Sequence, residues 1–232
     1  MKYLAKWTKE GNMRFISHLD IMRLFQRALK RKNIKLKYSE GFSPHPKMSI
    51  VQPLSLGYTS IGEYIEFETK EAFDCDEIKK RLSEAMPPGI EILSCTELKE
   101  TKKTAAIITL GAYTLGFEKK GLEGDLREAV EWFERQTEIP VEKKQKKSGK
   151  HTTVDIRSKV KGIGIETETE DYWLVKIFCD TGSESNLNPG LIADKLCEHL
   201  GLLRENIEVH VRRDEMFAES VQGTVIPLYL LR

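Results

Sequence analysis

Two short stretches near the start of the chain gather the side chains best suited to chemistry. The first, Arg14-Phe15-Ile16-Ser17-His18-Leu19-Asp20, holds a guanidinium, a hydroxyl, an imidazole and a carboxylate. The second, Gly41-Phe42-Ser43-Pro44-His45-Pro46-Lys47, brings another hydroxyl, a second imidazole and an ammonium. Three jobs suit such a set. His18 and His45 could exchange protons in phosphodiester cleavage, with a nearby cation holding the developing charge. They could ligate a metal with Asp20, although three candidate ligands without tight spacing make this the weakest of the three, and no metal is expected. Or the cluster could hold a phosphate or carboxylate against a helix start, where free backbone N–H groups attract anions. Pro44 and Pro46 would fix the loop around His45, and Gly41 would permit an unusual backbone turn.

The elements around these stretches follow from periodicity. Lys2 to Lys9 alternates as a strand. Ser17 caps a helix with Asp20 in its first turn, and Ile21, Leu24, Phe25, Ala28 and Leu29 form its buried stripe. Ile34 to Tyr38 alternates as a second strand, with the Ser39–Lys47 loop after it and Met48 to Val51 extended again. In a parallel first pair, the end of the second strand and the start of the first helix share an edge, which would unite the two stretches. Strands at 61–69 and 90–96 flank a helix capped by Asp74, with Ile78, Leu82 and Met86 inward and Pro87-Pro88-Gly89 ending it. That order is the ferredoxin-like βαββαβ pattern. Beyond a polar linker at 98–104 the pattern recurs. There are a strand at 105–117, a helix at 122–133, a hairpin across the basic turn Gln145–Lys150, a strand at 172–179, a helix from Asn188-Pro189 and a strand at 207–211. The expected fold is therefore α+β, two ferredoxin-like βαββαβ units in tandem. Residues 1–97 and 105–232 would be the domains, and an apolar tail after Asp214 would pack back as a strand.

The chain has 232 residues, 40% hydrophobic and 31% charged, which excludes a disordered, collagenous or disulfide-scaffold protein. Its four cysteines stand singly, so they read as small buried hydrophobes rather than metal or redox pairs. The start lacks a signal peptide and no stretch would span a membrane, so a cytoplasmic location is expected. Net charge is only +1, yet the layout is uneven. Residues 1–50 carry twelve lysines and arginines against three acids, a net of +9. Arg23, Arg27 and Lys30, with Arg31 beside them, form a cationic ridge on the first helix, suited to a phosphate backbone. No strand carries the paired aromatics of a base-stacking sheet, so RNA would be held through phosphates, loops and shape.

Arg14-Phe15-Ile16-Ser17-His18-Leu19-Asp20, the basic run Arg23 to Arg31, Ser39-Glu40-Gly41-Phe42-Ser43-Pro44-His45-Pro46-Lys47-Met48-Ser49 and the Pro53–Gly57 segment resemble the radical-SAM-linked protein family. This is an uncharacterised bacterial family with a domain of unknown function. The match is specific over roughly residues 1–70, with weaker echoes at Asp155-Ile156-Arg157 and Asn188-Pro189. The resemblance implies an accessory role, since similar proteins are encoded beside, or fused behind, radical SAM enzymes with a cobalamin-binding region. This chain has no cysteine triad for an iron–sulfur cluster, so it is not itself the radical enzyme, and it needs no cofactor of its own. Tandem ferredoxin-like domains with a histidine also describe CRISPR repeat-processing endoribonucleases, but their glycine-rich loop is missing here and fold analogy is a poor warrant.

A non-catalytic RNA-binding accessory of a radical SAM enzyme best fits these residues. Arg14, Arg23, Arg27, Lys30, Arg31 and Lys47 would contact phosphates. Ser17, His18, Asp20, Gly41, Phe42, Ser43 and His45 would shape a common pocket. The alternatives are a metal-independent ribonuclease using His18 and His45, and an adaptor that binds only protein.

Overall fold

The structure, a computed structural model, describes residues 1–99, 104–144, 151–219 and 223–231. The fold is α+β with a mixed sheet and four α-helices among the described residues. The chain divides into two compact units, the first formed by Met1–Thr109 with Arg212–Arg232 and the second by Leu110–Val211. This departs from the expected boundaries, because the last residues return to the first unit.

The chain begins with β1 (Lys2–Lys9), a 3-10 turn at Gly11–Phe15, and α1 (His18–Arg31). Ser17 caps α1 reciprocally: its Oγ accepts from the Asp20 N–H at 3.2 Å and donates to the Asp20 carboxylate at 2.6 Å. Ile21, Phe25, Ala28 and Leu29 are buried as the spacing predicts. Next come β2 (Met48–Val51), β3 (Thr59–Glu68), α2 (Cys75–Ser83) and β4 (Ile92–Glu97). Asp74 caps α2, which buries Ile78 and Leu82. Gly89 then turns the chain at φ +89°, where a Cβ would sit 2.6 Å from the Glu10 carbonyl. The strand order is β4-β1-β3, with β2 on the outer edge of β3, and all these pairings are antiparallel. Tyr3, Ala5 and Trp7 point to the helices and pack with Phe25, Ile65 and Phe67.

Ile34–Tyr38 is not a strand. Met48–Val51 occupies the β3 edge from Tyr64 to Phe67, so the earlier segment pairs only through isolated bridges, Leu36 to Thr69 and Tyr38 to Pro46. The Ser39–Lys47 loop therefore precedes the second strand instead of following it.

From β5 (Ile108–Glu118) the chain enters the second unit, with α3 (Leu126–Arg135), a hairpin of β6 (Pro140–Lys144) and β7 (His151–Asp155), β8 (Val160–Glu168), β9 (Tyr172–Asp180) and α4 (Gly190–His199). The helix expected from residue 122 starts at Leu126, where Asp125 caps it. β8 carries no clean alternation in the sequence, because Gly162 and Gly164 interrupt it. The order in this unit is β5-β9-β8, antiparallel. β10 (Val209–Glu219) then carries the chain back to the first unit, pairing parallel to β3 at Thr59 and Ser60, and β11 (Val225–Pro227) pairs with it. Leu228 buries itself against Leu4, Val51 and Tyr64, on the sheet face away from the helices. The expected return of the tail as a strand is met, but it completes the first unit. The end of the 98–104 segment is anchored, since Thr104 is buried and bonds the Glu66 carboxylate. The basic turn at 145–150 and residues 100–103 of the linker lie outside the described residues. No described helix is long and apolar enough to cross a membrane.

Candidate functional site

The two stretches do not meet. His18 opens α1 beside Trp7, Lys9, Pro53, Leu54 and Glu63. His45 lies with Met1, Lys2, Lys47 and Glu68. In the β1–β3 ladder Trp7 faces Glu63 while Lys2 faces Glu68. At ~3.3 Å per residue those two places are about 17 Å apart. The misplacement follows from the second strand: with the loop before β2, it lies at the end where α1 finishes. The proposed common pocket of Ser17, His18, Asp20, Gly41, Phe42, Ser43 and His45 is thus corrected to two separate ends of the first unit, and a proton cannot pass between His18 and His45.

At the His45 end the loop is pinned. Ser39 N–H donates to the His45 carbonyl at 2.8 Å, the His45 N–H donates to Ser39 Oγ at 3.0 Å, and Ser39 Oγ lies 2.9 Å from His45 Nδ1. Lys47 N–H closes the base on the Lys37 carbonyl at 2.8 Å. Gly41 takes φ +112° at the tip with open space around it, so the glycine serves the backbone turn there. Ser43 and Pro44 are exposed, and Phe42 projects wholly into solvent. Tyr38 is exposed as well. Beneath this loop runs a groove of about 860 Å³, lined by Lys2, Lys37, Lys47 and Lys99 with Glu66 and Glu68. Lys37 and Lys47 share one carboxylate, Glu68, at 3.9 and 3.8 Å, while Lys2 pairs with Glu66 at 3.1 Å. Positive charge is left in excess.

The cationic ridge is present along α1, with Arg23, Arg27, Lys30 and Arg31 all exposed. Asp20 pairs with Arg23 at 3.1 Å, and the Ser17 hydroxyl, then Arg23, hold its carboxyl below the usual range. Arg31 donates to the Ala85 carbonyl at 3.0 Å, which fixes it toward α2. Arg14 stacks on Phe15, 4.7 Å from the ring centroid.

At the His18 end the decisive residues were missed by sequence. Glu63 and Arg213 are 1% and 2% exposed, and the guanidinium grips the carboxylate through Nε at 2.8 Å and Nη2 at 2.5 and 2.6 Å. The same Nη2 donates to the Gln52 carbonyl at 2.8 Å. Gln52 takes φ +51°, a conformation that costs a non-glycine residue energy, to present that carbonyl. Lys9 is buried beside them, and desolvation pushes its pKa down against the attraction of Glu63. The only signal in the sequence was charge at inward strand positions, Glu63 in β3 and Arg213 in β10, with 150 residues between them hiding the pair.

The cysteines are free. Cys179 and Cys197 are buried, Cys75 and Cys95 half-buried, and burial pushes the Cys179 thiol up to about 12.

Comparison with known proteins adds a family and a fold. A family model described as an uncharacterised protein conserved in bacteria, DUF2344, matches residues 2–189. No curated protein matches the chain. A chain in the crystal structure of a Cbf5-Nop10-Gar1 complex is similar at TM-score 0.54 and 13% identity, over 92% of this chain and 48% of that one. A chain in an archaeal box H/ACA sRNP Nop10-Cbf5 complex gives TM-score 0.42 and 14% identity, over 91% and 46%. This chain therefore spans about half the length of those proteins, and at such identity the first likeness is one of fold.

Proposed function

The chain belongs to DUF2344, a family of uncharacterised proteins conserved in bacteria, and we propose that it binds single-stranded RNA without cutting it, as an accessory to a radical SAM enzyme. The observation that carries this reading is the groove at the His45 end, where Lys2, Lys37, Lys47 and Lys99 surround a space of about 860 Å³. Exposed Tyr38 and Phe42 stand on the loop beside it. Lysines that shed counterions supply affinity, and aromatic side chains give bases a face to stack on. Arg23, Arg27 and Lys30 extend the cationic track along α1. The separation of His18 from His45 removes the basis for a two-histidine ribonuclease. In fold terms, the orders β4-β1-β3-β2 and β10-β5-β9-β8 support two ferredoxin-like units, with β6 and β7 inserted in the second.

The radical SAM partner rests on the resemblance of the motifs at 14–20 and 39–49. At the other end of the unit Phe15, Leu19 and Leu56 are exposed apolar side chains, which favour a protein contact there. The enzyme would dock at that end while RNA is held at the groove. Titrating a labelled single-stranded RNA by fluorescence anisotropy tests the RNA half. Affinity should fall steeply as salt rises, and K37E/K47E should weaken it more than R23E/R27E. Salt-independent binding, or equal binding by K37E/K47E, refutes the assignment. Intact RNA after incubation in EDTA is expected, and cleavage would restore the nuclease.

A further inference from the structure

We infer that the opening beneath the first turn of α1 is an oxyanion site, in which Lys9, the Trp7 indole and the His18 backbone N–H receive one oxygen of a phosphate or carboxylate. It is separate from the RNA groove and rests on different observations.

The first observation concerns a polar group sealed in without a partner, beside a lysine whose ammonium has no hydrogen bond of its own among the described residues. Trp7 is 1% exposed, and its Nε1 has no hydrogen-bond partner. Lys9 is 4% exposed and makes no ion pair or side-chain hydrogen bond among the described residues. Both line the same small cavity with His18 and Glu63. An unmet buried donor costs about 1–3 kcal/mol, so the Trp7 indole, with the Lys9 ammonium beside it, calls for an acceptor.

The second is electrostatic. Glu63 attracts Lys9 but gives its hydrogen bonds to Arg213, which holds both its oxygens. Two cationic side chains, Lys9 and Arg213, thus face the single carboxylate of Glu63. The positive end of the α1 dipole adds to the two cations, since His18 is the first residue of that helix. The N–H groups of Asp20 and Ile21 are already taken by Ser17 Oγ and the Ser17 carbonyl. His18 N–H is not. An oxyanion supplies both a second negative charge and the missing acceptor.

The third is size. The cavity is about 10 Å³, room for roughly one oxygen atom. The body of the ligand would therefore stay outside, at the mouth beside the exposed His18 side chain. A planar base or a sugar would not enter.

The three tryptophans allow a direct test. Indole N–H resonances of the full chain labelled with ¹⁵N are followed while sodium phosphate or sodium acetate replaces sodium chloride at constant ionic strength, with W7F assigning Trp7. The Trp7 signal should shift saturably while those of Trp132 and Trp173 stay. K9Q should weaken binding at least tenfold, and first-unit backbone amide signals that stay in place away from position 9 would certify that it folds. K37E/K47E should leave the shift intact. A response to phosphate alone marks a phosphate source, and a response to acetate a carboxylate. No saturable Trp7 shift with either anion in the native chain overturns the site, and so does an undiminished shift in folded K9Q.

Discussion

At the His18 end of the first unit three charged side chains, Lys9, Glu63 and Arg213, are shut away from water, whereas at the His45 end the groove lysines Lys37 and Lys47 stand open to it. Both ends flank the same two strands and both use a histidine, cations and a glutamate. The difference teaches that burial decides what a charge does. Sealed charges need a partner of opposite sign or a ligand that supplies one, so they hold the fold together and admit at most one small ligand atom. Open charges are weakly matched, cost little, and remain available to a long polyanion.

The sharpest way to break this contrast is to remove Glu63. E63Q should leave Arg213 unmatched, remove the attraction on Lys9 and cost about 3–5 kcal/mol in urea unfolding, while E63L/R213M recovers most of that loss. An effect of E63Q under ~1 kcal/mol would mean the cluster is wet. At the open end K37E/K47E should lower RNA affinity roughly a hundredfold at moderate salt, with little change in unfolding midpoint. A stability loss as large as that of E63Q would erase the distinction. Next in size, F42A should weaken RNA on the order of tenfold by losing a stacking face, and unchanged affinity would confine recognition to phosphates. The smallest effect belongs to the α1 cap. S17A should cost about 1 kcal/mol at neutral pH. Because the Ser17 hydroxyl leads in lowering the Asp20 pKa, the stability tied to that carboxylate is present above its unfolded value near 4. It fades as pH falls through the lower folded value, and S17A should blunt that acid dependence in a urea series.

Much of the local structure could be read beforehand. The Ser17 cap, the Ile21–Leu29 stripe and the exposed Arg23, Arg27 and Lys30 follow from helical spacing, because an α-helix makes its hydrogen bonds within itself. The Pro44-His45-Pro46 loop was recognisable as a feature, though not its place. Ile34–Tyr38 and Met48–Val51 both alternate, and only competition for the β3 edge decides which becomes the strand. That single choice moved His45 to the far end from His18.

Sequence alone therefore determined the existence of the four described helices, the Ser17 and Asp74 caps, the family motifs and the clustering of charge in the first fifty residues, all of which depend on neighbours a few positions apart. Tertiary structure alone decided that Arg213 returns to Glu63, that the chain's last segment completes the first unit, and that Lys9 lies buried with no carboxylate of its own. Strand pairing joins residues that no local period links, and burial depends on what the rest of the chain lays over a side chain.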